Sequence, residues 1–217
     1  QTALTSVFLP PYKQQAQSTL TPLETRDYAA WSRSVKERVG RKRVPLAGTI
    51  DLTHRCNNRC RHCYNNLPVS DPKALASELS TNDIRRILDE IAAAGCVWLL
   101  MTGGEILLRP DFLNLYRHAK KNGLLVTLFT NGTLVTPKLA EALVQSRPFA
   151  IEVTLYGSTA ETYERVSGVS GSFRLCMEGV RILMDHGLPL KLKSTLCALN
   201  ARSEERRVGK ECRSRWS

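Results

Sequence analysis

The 217-residue chain has no apolar run near the roughly 18 to 20 residues needed to cross a bilayer. Its first twenty residues lack the basic start and apolar stretch of a signal peptide. No membrane role is expected, and the cytoplasm is the expected location. Glycine (13) and proline (10) are too sparse for a collagenous or low-complexity chain. Aromatic residues make up only 6% and do not interleave with a basic stripe, so nucleic acid is not an expected partner despite a formal charge of +11. That charge sits at the two ends: residues 1–44 carry +5, residues 202–217 carry +3, and the long middle only +3.

What remains is ordinary globular composition, 42% apolar and 24% charged. Residues 1–44 read as a polar basic leader with at most one short helix near Asp27–Arg38. Residues 202–217 hold nine charges in sixteen positions without apolar periodicity, and they resemble the in-frame translation of a sequencing adapter. The expectation is a non-native tail, with Cys212 and Trp216 outside the natural sequence, which then ends near Ala201; the start at Gln1 suggests a fragment.

Between them, residues 45–201 alternate short β-branched runs with helical periods, the pattern of parallel βα units. Strands are predicted at 49–53, 97–101, 125–130, 150–155 and 190–196. Helices are predicted from Ser80, near Pro110, from Thr136-Pro137 and from Ser172, which is read as an N-cap. The continuous apolar run Val97–Met101 predicts a strand covered on both faces. Five such steps form either a doubly wound sheet or part of a barrel, and in both folds ligands bind at the carboxyl ends of the strands.

Directly after the first strand comes His54-Arg-Cys56-Asn-Asn-Arg-Cys60-Arg-His62-Cys63-Tyr64, three cysteines spaced C-x3-C-x2-C. An odd number of closely spaced thiols makes a poor disulfide framework. Zinc is one candidate, with His62 or His54 as a fourth ligand, although a second C-x2-C pair is missing. The other is a cubane iron-sulfur cluster with one iron left open, which three thiolates on one loop suit.

Three further strand ends carry Thr102-Gly-Gly-Glu105, Thr130-Asn-Gly132 and Thr154-Leu-Tyr-Gly157. Together with the cysteine loop they resemble the radical S-adenosylmethionine (SAM) superfamily over about residues 47–200. The stretch Tyr156–Gly168 resembles the branch that continues into a SPASM domain. The resemblance implies an α/β fold, a partial parallel (β/α) barrel of the radical SAM type truncated after about strand five, with strand six and any SPASM domain and auxiliary clusters beyond Ala201. Strand five then forms an unpaired edge, and the piece is expected to aggregate when expressed alone.

The resemblance also implies an enzyme that binds a [4Fe-4S] cluster on Cys56, Cys60 and Cys63. It would reductively cleave SAM to a 5′-deoxyadenosyl radical for hydrogen abstraction, in peptide or protein modification or in cofactor biosynthesis. The implied partners are a substrate peptide or small molecule and a reductant such as flavodoxin or ferredoxin. The alternative is a zinc-binding, cysteine-rich interaction module without catalysis. SAM contacts carry over to Gly103, Gly104 and Glu105, the last as anion for the SAM ammonium, and to His62 beside the adenine, Asn131, Thr154 and Arg165, with Lys193 weaker. In this motif Ile106 stands where most relatives carry proline. Each has a plainer reading too: a tight turn at Gly103-Gly104, a turn dipeptide at Asn131-Gly132, an ordinary strand threonine at 154, and solvent-facing His62 and Arg165. Cys96, Cys176 and Cys197 read as small buried hydrophobes, and Trp98, Phe129 and Tyr156 as core.

Overall fold

The computed structural model describes residues 27–40, 42–65 and 67–201. The expectations for residues 202–217, Cys212 and Trp216 among them, and for most of the leader lie outside those residues. The chain divides into two units, residues 1–43 and 44–217. In the first, helix α1 (Tyr28–Val39) starts where the Asp27 carboxylate accepts the backbone N–H groups of Ala29 and Ala30, and none of its residues is buried.

In the second unit, strands β1 (Ala47–Asp51), β4 (Trp98–Thr102), β5 (Leu125–Thr130), β6 (Ala150–Thr154) and β7 (Leu190–Lys193) pair in that order as a five-stranded sheet, parallel throughout. A two-stranded ribbon of β2 (Arg55–Cys56) and β3 (Leu67–Pro68) stands beside it. Helices α2 (Pro72–Ser77), α3 (Thr81–Ala93), α4 (Phe112–Lys121), α5 (Pro137–Gln145), α6 (Ala160–Ser167) and α7 (Ser172–Asp185) fill the crossovers.

Local chemistry sets most boundaries. Ser80 accepts the Asp83 N–H to open α3, and Thr136 accepts that of Leu139 to open α5, with Pro137 in its first turn. Gly95 and Gly123 stop the helices before them at φ 98° and 81°, a region where a side chain is strained. Two helices come from signals that periodicity does not carry. Asp71-Pro72 opens the six-residue α2, and Thr159, accepting the Thr162 N–H, opens α6, which ends at Gly168 with φ 69°. The expected cap at Ser172 is corrected. Gly171, at φ 77°, occupies the cap position, and the buried Ser172 hydroxyl instead donates to the Val169 carbonyl and meets the Ser167 hydroxyl.

The helices cover one face of the sheet. Leu99, Met101, Val126, Leu128, Ile151 and Val153 are buried in a core shared with Ile84 and Leu88 of α3, Leu115 and Tyr116 of α4, Leu143 of α5 and Cys176 and Leu183 of α7. Each such aliphatic side chain contributes about 1.5–3 kcal/mol on burial. The intervening strand residues Leu100, Thr102, Phe129, Glu152 and Thr154 are only half-buried. The expectation of a β4 covered on both faces is therefore corrected: the helices lie on one side, and the opposite face is the inner surface of a barrel wall that does not close, with β1 and β7 as its edges.

Candidate functional site

The carboxyl ends of β1, β4, β5 and β6 converge on the cysteine loop. The ribbon lifts the chain away from β1 after Thr53, and the loop returns across the end of α6, where Arg59 and Arg61 N–H groups donate to the carbonyls of Ser167 and Val166 at 2.8 and 3.0 Å. A Cβ at Gly168 would stand 2.7 Å from the Arg59 carbonyl oxygen, so glycine is what allows this docking. Cys56 and Cys60 are buried and Cys63 half-buried.

Every one of the three sulfurs has a hydrogen-bonding group turned to it. The Asn58 N–H donates to Cys56 Sγ at 3.4 Å, the Asn65 N–H donates to Cys63 Sγ at 3.4 Å, and the Tyr156 hydroxyl lies 3.3 Å from Cys60 Sγ. The Asn131 amide stands 3.8 Å from Cys56 Sγ. Burial pushes the Cys56 thiol up to about 11 against the Asn58 and Asn131 hydrogen bonds, and it pushes Cys60 up against that of Tyr156. Both thiols hold their protons near neutral pH, so binding a metal centre must release them.

The donor set fits anionic sulfur ligands for an iron-sulfur cluster. Among the described residues no three His, Cys, Asp or Glu side chains gather round a single metal ion. His54 and His62 are exposed, and the His62 ring meets that of Tyr156 edge-on at 5.1 Å.

The loop after β4 is stitched beneath the cysteines. Gly104 N–H donates to the Thr53 carbonyl at 2.7 Å and Glu105 N–H to that of Arg55 at 2.8 Å. This close approach needs glycine twice. Gly103 has φ 145° and a Cβ there would strike the Thr53 carbonyl oxygen, while one on Gly104 would strike the Arg55 carbonyl oxygen. Glu105 is fully buried. Its carboxylate accepts the Thr130 hydroxyl at 2.8 Å, the Asn131 N–H at 2.7 Å and the Leu107 N–H at 3.1 Å. Burial raises its pKa against those three hydrogen bonds. Asn131 in turn donates to Asn57 Oδ1 at 2.8 Å, and Asn57 donates to the Thr133 hydroxyl at 2.8 Å, tying the β5 turn to the cysteine loop.

Among the expected site residues, the fold thus brings Cys56, Cys60, Cys63, Gly103, Gly104, Glu105 and Asn131 together, with His62 at the rim. Thr154 is half-buried at the end of β6, in register with Lys193 of β7. Lys193 stacks over the Phe129 ring, where desolvation lowers its pKa to about 8 and Glu152 opposes that fall. Arg165 is exposed on α6 and pairs with Glu161 at 2.6 Å.

Three features escape the sequence reading. The Tyr156 hydroxyl faces a cysteine rather than only filling core. Asn58, 2% exposed, has neither Nδ2 nor Oδ1 hydrogen-bonded within the protein. Such an unpaired buried amide costs about 1–3 kcal/mol. The third is a buried charge network under the loop. Arg55 Nε meets Glu78 Oε1 at 2.7 Å, and Arg109 reaches Glu78 at 3.6 Å and Asp111 at 2.7 Å. Arg109 also donates to the carbonyls of Leu52 and Leu79, both at 3.2 Å.

A family model of the Radical SAM superfamily matches residues 50–208. The chain is similar to the AdoMet-dependent heme synthase of Methanosarcina barkeri, 35% identical across 69% of this chain and 42% of that one. It is similar to the PqqA peptide cyclase of Ruegeria pomeroyi at 34% across 76% and 43%, and to mycofactocin maturase MftC of Mycobacterium tuberculosis at 32% across 66% and 36%. The chain spans about two fifths of the length of these curated relatives. In fold it is similar to anSMEcpe solved with bound AdoMet (TM-score 0.61, 15% identity, 77% of this chain and 49% of that one). Streptococcus suis SuiB bound to its precursor peptide SuiA also matches, with a TM-score of 0.61 and 15% identity over 91% and 45%.

Proposed function

The chain belongs to the radical SAM superfamily, and from that premise we propose that Cys56, Cys60 and Cys63 hold a [4Fe-4S] cluster whose remaining iron takes SAM. Such a cluster, when bound, supplies an open coordination site and one electron, which cleaves SAM reductively to the 5′-deoxyadenosyl radical that abstracts a substrate hydrogen. The observation that carries the reading is that all three cysteine sulfurs are hydrogen-bonded at the carboxyl ends of parallel strands, Cys56 and Cys63 accepting backbone N–H groups and Cys60 lying against the Tyr156 hydroxyl.

The protein's own part is to bind, orient and shield. The Asn58 and Asn65 N–H groups supply hydrogen bonds that favour sulfur in its anionic form, and the Tyr156 hydroxyl would donate to Cys60 once that thiol has lost its proton. Gly103 and Gly104 let the chain after β4 run against the backbone of Thr53, His54 and Arg55, and their close approach to the SAM amino group rests on the resemblance. Glu105 spends its carboxylate on three internal donors. It holds the β4 and β5 turns in one frame and places negative charge beneath the position assigned to the SAM ammonium. His62 and Tyr156 present an aromatic corner for the adenine, and Thr154 stands at a strand end within the same reading. Arg165 stands on the surface, paired with Glu161.

The substrate class is that of peptide modification or cofactor biosynthesis, supported by relatives named as a heme synthase and a peptide cyclase; flavodoxin or ferredoxin as reductant rests on the resemblance alone.

Anaerobic reconstitution with iron and sulfide, followed by dithionite and SAM, tests the reading. A brown protein releasing 5′-deoxyadenosine is expected, and Cys60→Ala should abolish the product. Zinc held tightly, with no uptake of iron, would establish the interaction-module alternative instead.

A further inference from the structure

Within the cysteine loop almost every amide has a partner. Asn57 bridges to Asn131 and Thr133, Asn65 donates to Asp51 at 3.4 Å, and Asn131 serves both Asn57 and Cys56. Asn58 breaks that pattern. It sits midway between Cys56 and Cys60, it is 98% removed from solvent at 2% exposure, and both polar atoms of its side chain lack a partner within the protein.

Its backbone is pinned on either side. Its own N–H donates to Cys56 Sγ, and the next residue, Arg59, donates to Ser167 on α6. The pinned backbone and the packing around a residue 2% exposed hold the carboxamide inside the loop. Buried amides in folded proteins have partners, so an unpartnered one at the centre of a ligand-bearing arch marks the place of a group the polypeptide does not itself supply. A sulfur-rich, anionic centre held by the flanking cysteines accepts hydrogen bonds and donates none.

We propose that the Asn58 carboxamide donates a hydrogen bond through Nδ2 to the iron-sulfur cluster on Cys56, Cys60 and Cys63, and thereby raises the cluster's reduction potential. The inference rests on the cluster reading above. A hydrogen bond to cluster sulfur stabilises the reduced, more negative state preferentially, so it eases entry of the electron. Asn58 is in this sense a positioning and tuning residue, acting through the cluster.

The test is redox titration, followed by electron paramagnetic resonance, of the anaerobically reconstituted full-length protein that carries this sequence, in wild type, Asn58→Leu and Asn58→Asp. Leucine fills the same space without polar atoms, and aspartate keeps an acceptor but loses the donor. Both should retain the four-iron signature and titrate at a more negative potential than wild type, and Asn58→Gln, which restores an amide, should return toward it. An unshifted potential in a loaded Asn58→Leu overturns the proposal. If neither Asn58→Leu nor Asn58→Asp loads, loading of Asn58→Gln supports the donor, whereas failure of all three overturns it in favour of a packing role. A full-length wild-type protein that takes up no four-iron cluster sinks the function reading itself, an outcome separate from these.

Discussion

A Cβ at Gly104 would collide with the backbone of Arg55 and stand 2.8 Å from the carbonyl oxygen of His54, so it meets main chain that cannot turn aside as a side chain can. Gly104→Ala should therefore push the β4 turn off the cysteine loop. We expect iron uptake and SAM binding to fall together, read by iron analysis and by calorimetric titration with SAM; wild-type values for both would show that the loop yields. Glu105 acts at the same scale through a different force. Glu105→Ala would leave the Thr130 hydroxyl and the N–H groups of Leu107 and Asn131 buried without an acceptor. A loss of about 3 kcal/mol or more is expected in urea unfolding, from about 1–3 kcal/mol for each orphaned donor. The two residues sit side by side in one motif, yet one is needed for the absence of a side chain and the other for the reach of one.

Among the elements, the short α2 earns its place through Glu78 at its end. That carboxylate receives Arg55, the Thr53 hydroxyl and Arg109, which links the ribbon beside the cysteines to the turn before α4. Partial burial pushes the Glu78 carboxyl up, but Arg55, Thr53 and Arg109 together outweigh it and hold the group below its usual range. Asp111 is held low chiefly by its hydrogen bonds from Arg109. Depressed values mean that this stabilisation is complete above the ordinary carboxylate pKa of about 4. It is lost as the pH falls through the lowered values.

Glu78→Gln leaves the Arg55 guanidinium, at 8% side-chain exposure, without its anion, while Arg109 keeps Asp111 alone. A loss of about 3–5 kcal/mol is expected near neutral pH. The gap to wild type should shrink on acidification, measured by urea unfolding at a series of pH values; a constant gap would show that Glu78 contributes shape and not charge.

For the molecule as a whole, the core lies between the sheet and one layer of helices, and the cysteine loop is fastened to the upper rim of that wall by contacts with α6 and with the β4 and β5 turns. A centre bound there would tie the ends of four strands together. Because ligand bound only by the folded form stabilises it by mass action, reconstitution should raise the thermal midpoint and chelation should reverse the rise. Equal midpoints with and without iron would mean that the loop is no part of the cooperative unit. Phe129, Glu152, Thr154 and Lys193 lie half-buried on the inner face of the sheet.

Five strands, most of the helices, the glycine stops and the cysteine spacing were legible in the chain because each depends on interactions within one turn, or on the identity of a residue next to a strand end. Ser80, Thr136 and Gly123 act on neighbours a few positions away, and local chemistry determines them. The cap at Gly171 and the helix at α6 were harder, since serine and threonine stand next to several possible starts. What no local pattern could decide is which distant groups meet. Glu78 with Arg55 and Arg109, Tyr156 with Cys60, and the burial of Asn58 without a partner all join positions, or deny them partners, across loops that only the folded sheet brings to one rim. Hydrogen bonds and ion pairs are short-ranged and directional, so the tertiary structure decides which of many polar residues belong to the site.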